Sequence, residues 1–323
     1  MSAGPAAGLD GRRILVTGGS GFIGRHVVSD LRGAGAHVRV VDLQAHPDPE
    51  VEIVRGDITE RDVLDAAFEG GFDGIVHLAA VTSVLRSLEH PELTYRTNVA
   101  ATASLLEAGR AAGASALVFA STNAVTGPME APAISESATL RPLTPYGATK
   151  AAGEMLMSAY TASYGLRCAV MRLTNVYGPG MQAKDSIVAR LMRAIRLGQG
   201  FEIYGDGRQV RDYVHAADVT AAVRLGLGPQ GWGGPMVIGA GRSLSVLEVI
   251  DAVRNVTGAE LEVGHGPARE GEMPAVIVDP SKAHAAGWSP RFTLEEGLIG
   301  VWEEWSRIDL DAVSAGVGAV GAG

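Results

Sequence analysis

The feature of this sequence that most constrains its fold is the alternation, over its first half, of short apolar runs with amphipathic stretches. Arg13-Ile-Leu-Val-Thr17, His37-Val-Arg-Val-Val41, Val51-Glu-Ile-Val54, Gly74-Ile-Val-His-Leu78, Ala116-Leu-Val-Phe-Ala120 and Leu166-Arg-Cys-Ala-Val-Met-Arg172 read as strands. Several are apolar at consecutive positions, the pattern of strands buried on both faces of a parallel sheet. Helical periodicity is expected between them, at about 22–34, 61–69, 92–112 and 145–164. Parallel strands need long crossovers, usually helices, so the alternation predicts a doubly wound α/β sheet.

Beyond residue 175 the rhythm changes. Ser245-Val-Leu-Glu248 and Thr293-Leu-Glu-Glu296 each place a hydroxyl at a helix start and a glutamate three residues later, a capping box that satisfies unpaired N–H groups. After the second box, Leu298, Val301, Trp302 and Trp305 share one helical face and read as core. This half predicts a smaller C-terminal α+β domain, interrupted where residues 211–227 return to the first. The expected boundaries are 11–178 and 209–238 for the α/β domain, and 179–208 and 239–308 for the smaller one. Residues 1–10 and 312–323, rich in Gly, Ala, Ser and Pro, read as tails.

Composition excludes several function classes. With 46% hydrophobic and 20% charged residues in 323, the chain can bury a core. Its net charge of −9 argues against nucleic acid or an anionic membrane surface as partner. Only three of the 27 basic residues are lysines, Lys150, Lys184 and Lys282, so each is worth inspecting. The single cysteine, Cys168, rules out an internal disulfide framework and reads as a buried small hydrophobe. The eight histidines show no paired ligand spacing, and no metal is expected. No 18-residue apolar window and no basic-then-apolar opening occur, which together with the lone cysteine leads to an expected cytoplasmic location.

Thr17-Gly-Gly-Ser-Gly-Phe-Ile-Gly24 follows the first strand and opens the first helix. Glycines at 18, 21 and 24 permit a tight turn and let backbone N–H groups approach a pyrophosphate at the helix N-terminus, as in a Rossmann dinucleotide site. Asp42, 18 residues after Gly24 at the end of the second strand, is placed to bond the adenosine ribose hydroxyls. Its carboxylate would repel a 2′-phosphate, and residues 43–46 offer no Arg or Lys to receive one, so NAD is favoured over NADP.

Further motifs follow in order: Gly56-Asp57-Ile58, His77-Leu78-Ala79-Ala80, Asn98, Ser121-Thr122, Tyr146-x-x-x-Lys150, Asn175-Val-Tyr-Gly-Pro179 and Arg211-Asp-Tyr-Val-His215. With the glycine turn, they make the chain resemble the extended short-chain dehydrogenase/reductase family, in particular its nucleotide-sugar epimerases, over about residues 12–305. The resemblance implies NAD contacts at Gly18, Gly21, Phe22, Ile23, Gly24 and Asp42, with Asp57 and Ile58 at the adenine. It places Leu78, Ala79 and Ala80 beside the nicotinamide, with Asn98 fixing the active-site hydrogen-bond network. It also implies a homodimer through helices 92–112 and 145–164.

Tyr146 and Lys150, at i and i+4, lie on one helical face and can reach one site. Seven tyrosines and three lysines would give about 0.07 such pairs by chance. A free phenol titrates near pH 10, too high for a base at neutral pH, and a nearby ammonium together with the positive nicotinamide ring is expected to lower it. The resemblance makes Tyr146 the catalytic acid/base, Lys150 its partner and a cofactor contact, and Thr122, assisted by Ser121, the hydrogen-bond donor to the reacting oxygen.

Dehydratases of the family carry Asp-Glu after that threonine, and related decarboxylases keep a glutamate nearby. Ser121-Thr-Asn-Ala124 has neither, which leaves transfer of hydride without elimination. The expected reaction is therefore 4-epimerisation of a nucleotide-diphosphate sugar through a 4-keto intermediate; the alternative is an NAD-dependent dehydrogenase that releases oxidised sugar. By resemblance Asn175, Arg211 and Arg269 bind the diphosphate, although Glu270 stands where the family has proline. Thr82, Ser83, Arg86, Thr122, Asn123 and Lys184 are the expected sugar contacts. Arg86 and Lys184 make a hexuronate possible beside a hexose, and Val125-Thr126-Gly127, lacking the family's tyrosine, is expected to open the sugar end of the pocket or alter its contacts.

Overall fold

The computed structural model describes residues 8–229, 231–268 and 275–309. Its first half lays down β1 (Arg13–Thr17), α1 (Phe22–Gly33), β2 (His37–Asp42), β3 (Glu52–Arg55), α2 (Arg61–Phe68), β4 (Gly74–His77), α3 (Val84–Glu89), α4 (Pro91–Tyr95), α5 (Ala101–Ala111), β5 (Ala116–Thr122), α6 (Pro145–Tyr164) and β6 (Arg167–Leu173). These strands, with β10 (Gly234–Ile238), form a parallel sheet in the order β10-β6-β5-β4-β1-β2-β3. The expected doubly wound sheet is present.

Two-residue alternation distributes each strand between two cores. Ile14 and Val16 of β1 pack on one face with Val27 and Leu31 of α1 and Val219 and Val223 of α8 (Ala216–Leu227). Leu15 faces the other way, with Leu105 of α5, Phe119 of β5 and Met157 of α6. Burying each such side chain contributes about 1.5–3 kcal/mol, which fixes the strand register. Cys168 is buried in this second core, as expected, and burial pushes its thiol up to about 11.

Helix α6 has local punctuation at both ends. The Thr144 hydroxyl accepts from Gly147 N, Pro145 occupies the first turn where its missing N–H costs nothing, and Gly165 ends the helix at φ +71°. The expected single helix over 92–112 is instead α4, a π-helical turn (Arg96–Ala100) and α5. Such a wide turn appears mostly at functional sites, and this one carries the buried Asn98. Helix α3 was not expected from periodicity.

The remaining elements are β7 (Asn175–Tyr177), α7 (Ile187–Leu197), β8 (Phe201–Tyr204), β9 (Val210–His215), β11 (Ser243–Ser245), α9 (Val246–Thr257), β12 (Val263–Gly266), α10 (Ser281–Ala285) and α11 (Leu294–Arg307). Both capping boxes are formed, at the starts of α9 and α11. Leu298, Val301 and Trp305 are buried against α7 and α9, with Trp302 half-buried beside them. Strand β9 joins β7 and β11 in a small sheet of its own, whereas α8 and β10 after it pack on the large one. The expected tail at 1–10 is too long: Leu9 is 2% exposed in the main core, and its carbonyl accepts from Arg12 N. The expected tail at 312–323 lies outside the described residues. Among the described residues, no helix is long and apolar enough to cross a membrane.

Candidate active site

The sequence motifs converge at the C-terminal edge of the large sheet, where β1, β4 and β5 end side by side. Gly18 sits at φ +71°, and a Cβ on it would lie 2.7 Å from Ala79 N. Only glycine allows this approach between the first turn and the loop after β4. Gly21 is the N-cap of α1 and makes no side-chain cap, so first-turn N–H groups, those of Phe22 and Ile23 included, face a position suited to an anion. The Phe22 ring is buried and Ile23 half-buried, which leaves their backbone as the polar contribution.

Asp42 stands at the end of β2. One carboxylate oxygen accepts from Ser20 N at 2.9 Å and the other from Gln44 N at 3.0 Å, and each keeps a lone pair for a hydroxyl. Asp57 accepts from Thr59 N at 2.9 Å, and Ile58 is buried in the core. Leu78 N donates to the Thr17 carbonyl at 3.0 Å and Ala79 N to the Thr17 hydroxyl at 3.3 Å; Ala79 and Ala80 are half-buried. These contacts fit a dinucleotide with its pyrophosphate at α1, its ribose at Asp42 and its far ring near Ala79.

His77 holds this region from below. Its ring nitrogens meet Thr17 Oγ1 at 2.7 Å and Thr102 Oγ1 at 2.8 Å, and burial, then the neighbouring Lys150, depress its pKa to about 3. A permanently neutral histidine is a structural one. Asn98 accepts from Val81 N at 2.8 Å and donates to Val81 O and Thr149 Oγ1, both at 3.0 Å. It thereby ties the loop after β4 to α6.

Thr122 ends β5 beside the half-buried Tyr146 phenol, and its hydroxyl is the one neighbour that favours the phenolate. Lys150 Nζ donates to the Ala120 carbonyl at 2.8 Å and lies 4.7 Å from the centre of the Phe119 ring. The expected lowering of the phenol is not found in the protein alone. Burial pushes Tyr146 up to about 12, with only the Thr122 hydroxyl acting the other way, and burial also brings Lys150 down to about 7. An amine so easily neutralised, and turned toward a carbonyl, stabilises a phenolate poorly.

Ser121 does not face the site. Its hydroxyl donates to Glu154 Oε1 at 2.5 Å, inside a buried ion pair with Arg172, so the expected assistance at the sugar is corrected. Next to it, the Thr122 hydroxyl donates to Asn123 Oδ1 at 3.3 Å. Thr126 is buried and donates to Asn123 O at 2.9 Å.

A cavity of about 220 Å3 lies between β7, α7, β8 and β9. It brings together Asn175 and Arg211 with Phe201, Tyr204 and Gln209. The Asn175 amide donates to Asp212 O at 2.9 Å, and Arg211 donates to Val210 O at 2.9 Å. Sequence reasoning missed Ser186 here, whose buried hydroxyl makes no hydrogen bond although it is the N-cap of α7. A serine directly before the amphipathic run Ile187–Leu197 was the available signal.

The other expected sugar contacts are dispersed. Thr82 is exposed, and the Ser83 hydroxyl accepts from Arg86 N to cap α3, on which Arg86 is half-buried. Lys184 is directed to the cofactor side, its Nζ 5.9 Å from the centre of the Phe22 ring. Arg269 and Glu270 lie outside the described residues.

Residues 14–239 match the model of the NAD dependent epimerase/dehydratase family. A UDP-glucose 4-epimerase of Mycolicibacterium smegmatis is 35% identical over 301 residues, covering 88% of this chain and 96% of that one. Among solved structures, the UDP-glucose 4-epimerase of Thermus thermophilus in complex with NAD is 35% identical with a TM-score of 0.86, over 92% of this chain and 100% of the other. MoeE5 in complex with UDP-glucuronic acid and NAD is 36% identical with a TM-score of 0.84, over 91% and 99%. The glycine turn, the Tyr146–Lys150 pair and the match over most of its length make this chain a member of the NAD dependent epimerase/dehydratase family.

Proposed function

We propose that the protein interconverts C4 epimers of a UDP-sugar, a hexose or a hexuronate, with NAD as a resident cofactor. The observation that carries this reading is the Tyr146 phenol beside the Thr122 hydroxyl at the end of β5, with Lys150 on the same helix face and a glycine turn open to a dinucleotide. In this reading Gly18, Gly21, Phe22, Ile23, Gly24, Asp42, Asp57, Ile58, Leu78, Ala79, Ala80 and Asn98 build the cofactor site. Residues 11–178 and 209–238 carry it; residues 179–208 and 239–308 carry the nucleotide-sugar, with Asn175 and Arg211 at the diphosphate.

Tyr146 takes the proton of the sugar's C4 hydroxyl, and Thr122 holds the C4 oxygen. Bound NAD supplies reversible acceptance of the C4 hydride. Its positive ring also favours the phenolate that the protein alone disfavours, so Tyr146 becomes a base only where an oxidant is in place. Turning the ketone so that the opposite face is reduced requires that the sugar be held loosely and the diphosphate tightly. No carboxylate follows Thr122, so nothing there serves an elimination.

Incubation with UDP-glucose, UDP-galactose and UDP-glucuronate, read by product NMR and NADH absorbance, tests this. Epimer formation without net NADH is expected; stoichiometric NADH would assign a dehydrogenase, and neither signal would remove the activity. Arg86 is the residue that favours testing a uronate, since Lys184 faces Phe22.

The same reading includes a homodimer and a cytoplasmic setting. Leu88, Tyr95, Met155 and Tyr164, on α3, α4 and α6, are each 55–57% exposed, an apolar set suited to a second copy. Sedimentation of wild type at twice the monomer mass supports it; a monomer would not.

A further inference from the structure

Two consecutive residues of β5 are fastened to two residues of α6 spaced four apart. The Ala120 carbonyl accepts from Lys150 Nζ at 2.8 Å and the Ser121 hydroxyl donates to Glu154 Oε1 at 2.5 Å, while the next strand residue, Thr122, stands beside the Tyr146 phenol one turn before Lys150. Positions 146, 150 and 154 form one ridge of the helix, so the strand end is stitched along it. Glu154 is held in turn by Arg172 of β6, which donates from Nη2 to Oε2 at 2.8 Å and from Nε to Oε1 at 3.1 Å. Arg172 also donates to Glu136 O at 3.1 Å, and the Glu136 carboxylate accepts from Val237 N of β10 at 2.7 Å.

Side chains of the pair are 4% and 3% exposed. Desolvation makes a buried ion pair a poor source of stability, and apolar residues of equal volume replace such pairs at little cost. Apolar residues offer no directional acceptor for the Ser121 hydroxyl, however. We infer that Glu154, clamped by Arg172, is a positioning residue: through Ser121 it sets the end of β5 against α6 and aims the Thr122 hydroxyl at the Tyr146 phenol. The inference rests on reading Tyr146 and Thr122 as the reacting pair. The clamp is neutral overall, and His77 beside Lys150 and the Tyr146 phenol are both held neutral by burial. The phenol stands beside Thr122, with Ser87 of α3 at its backbone N–H.

The test compares Ser121→Ala and Glu154→Gln with wild type in kcat, KM, thermal midpoint and tyrosinate absorbance, Tyr146 being isolated by subtracting Tyr146→Phe. For Ser121→Ala, kcat is expected to fall about tenfold with KM and the midpoint nearly unchanged, the loss of roughly one aligned hydrogen bond. The Tyr146 titration, read with NAD bound, moves to higher pH, because a displaced Thr122 hydroxyl favours the phenolate less. Glu154→Gln shifts both readouts the same way and further; if it does not fold, Ser121→Ala decides alone. Unchanged titration in Ser121→Ala overturns the inference, whatever happens to kcat. If wild type turns over no UDP-sugar while the titration still moves, the proposed reaction fails and the positioning role stands.

Discussion

Gly24 packs so closely on Gly18 that a Cβ on Gly24 would stand 2.1 Å from the Gly18 carbonyl oxygen. The contact sets how tightly α1 follows β1, and with it where the helix N-terminus points. Gly24→Ala must push the two apart, at about 1–3 kcal/mol for an overpacked core. Its thermal midpoint is expected to fall, and calorimetric titration should show NAD binding at least about tenfold weaker. Wild-type affinity in this variant would remove the turn from the cofactor site.

Tyr146→Phe keeps the ring and removes the hydroxyl that the proposed reaction uses as its acid/base. Loss of a positioned acid/base costs about 10²–10⁴ in kcat. KM should hardly move, since the nucleotide is gripped elsewhere. Steady-state kinetics with unchanged kcat would overturn the catalytic assignment.

What was legible in the sequence was what local rules encode. Thr144, Pro145 and Gly165 bound α6 within the expected range, and continuous apolar runs gave the parallel strands. The glycine turn forms at the start of α1, and Tyr146 and Lys150 share one face of α6, because short motifs carry short-range geometry. What stayed hidden depends on residues far apart in the chain. Ser121 looked catalytic beside Thr122 until Glu154, 33 positions on, claimed its hydroxyl. The π-helical turn at Asn98 exists because its amide must reach Val81 and Thr149 at once, which no periodicity reports. Burial likewise pushes the Tyr146 phenol up in the protein alone, a cost of its place in the fold that its spacing from Lys150 does not report.

Asp42→Asn keeps the shape of the side chain and removes its charge. NAD affinity is expected to fall roughly tenfold, as one charge-assisted bond to a ribose hydroxyl weakens. NADP, no longer facing a carboxylate, should gain relative to NAD. Parallel titrations with the two cofactors decide it: equal losses would mean that Asp42 only shapes the loop through Ser20 and Gln44.

Met155 lies on the exposed side of α6, 57% accessible, away from Lys150 and Glu154. A charge there meets water in a monomer and an apolar partner face in a dimer. Met155→Asp should therefore shift the sedimentation profile toward monomer, by about 2–4 kcal/mol of dissociation free energy for a charge facing an apolar surface. A wild-type profile in the variant would place any dimer contact elsewhere.

Lys150 makes stability depend on pH in the protein without cofactor. Burial lowers its folded-state pKa from 10.5 to about 7, so between these values the unfolded chain holds a proton that the folded chain has released. The lysine's contribution must then rise with pH across this window, by at most about 1.4 kcal/mol per unit, and level off below pH 7 where both states are protonated. Cys168, raised to about 11, and Tyr146, raised to about 12, act oppositely only above their free values of 9 and 10, so the difference between wild type and a variant without the ammonium reports on the lysine from pH 7 to 8.5. Denaturant unfolding of wild type and Lys150→Met over that range is the measurement. A wild-type curve that steepens relative to the variant is expected; parallel curves would show that the ammonium stays charged in its pocket, held by the Ala120 carbonyl.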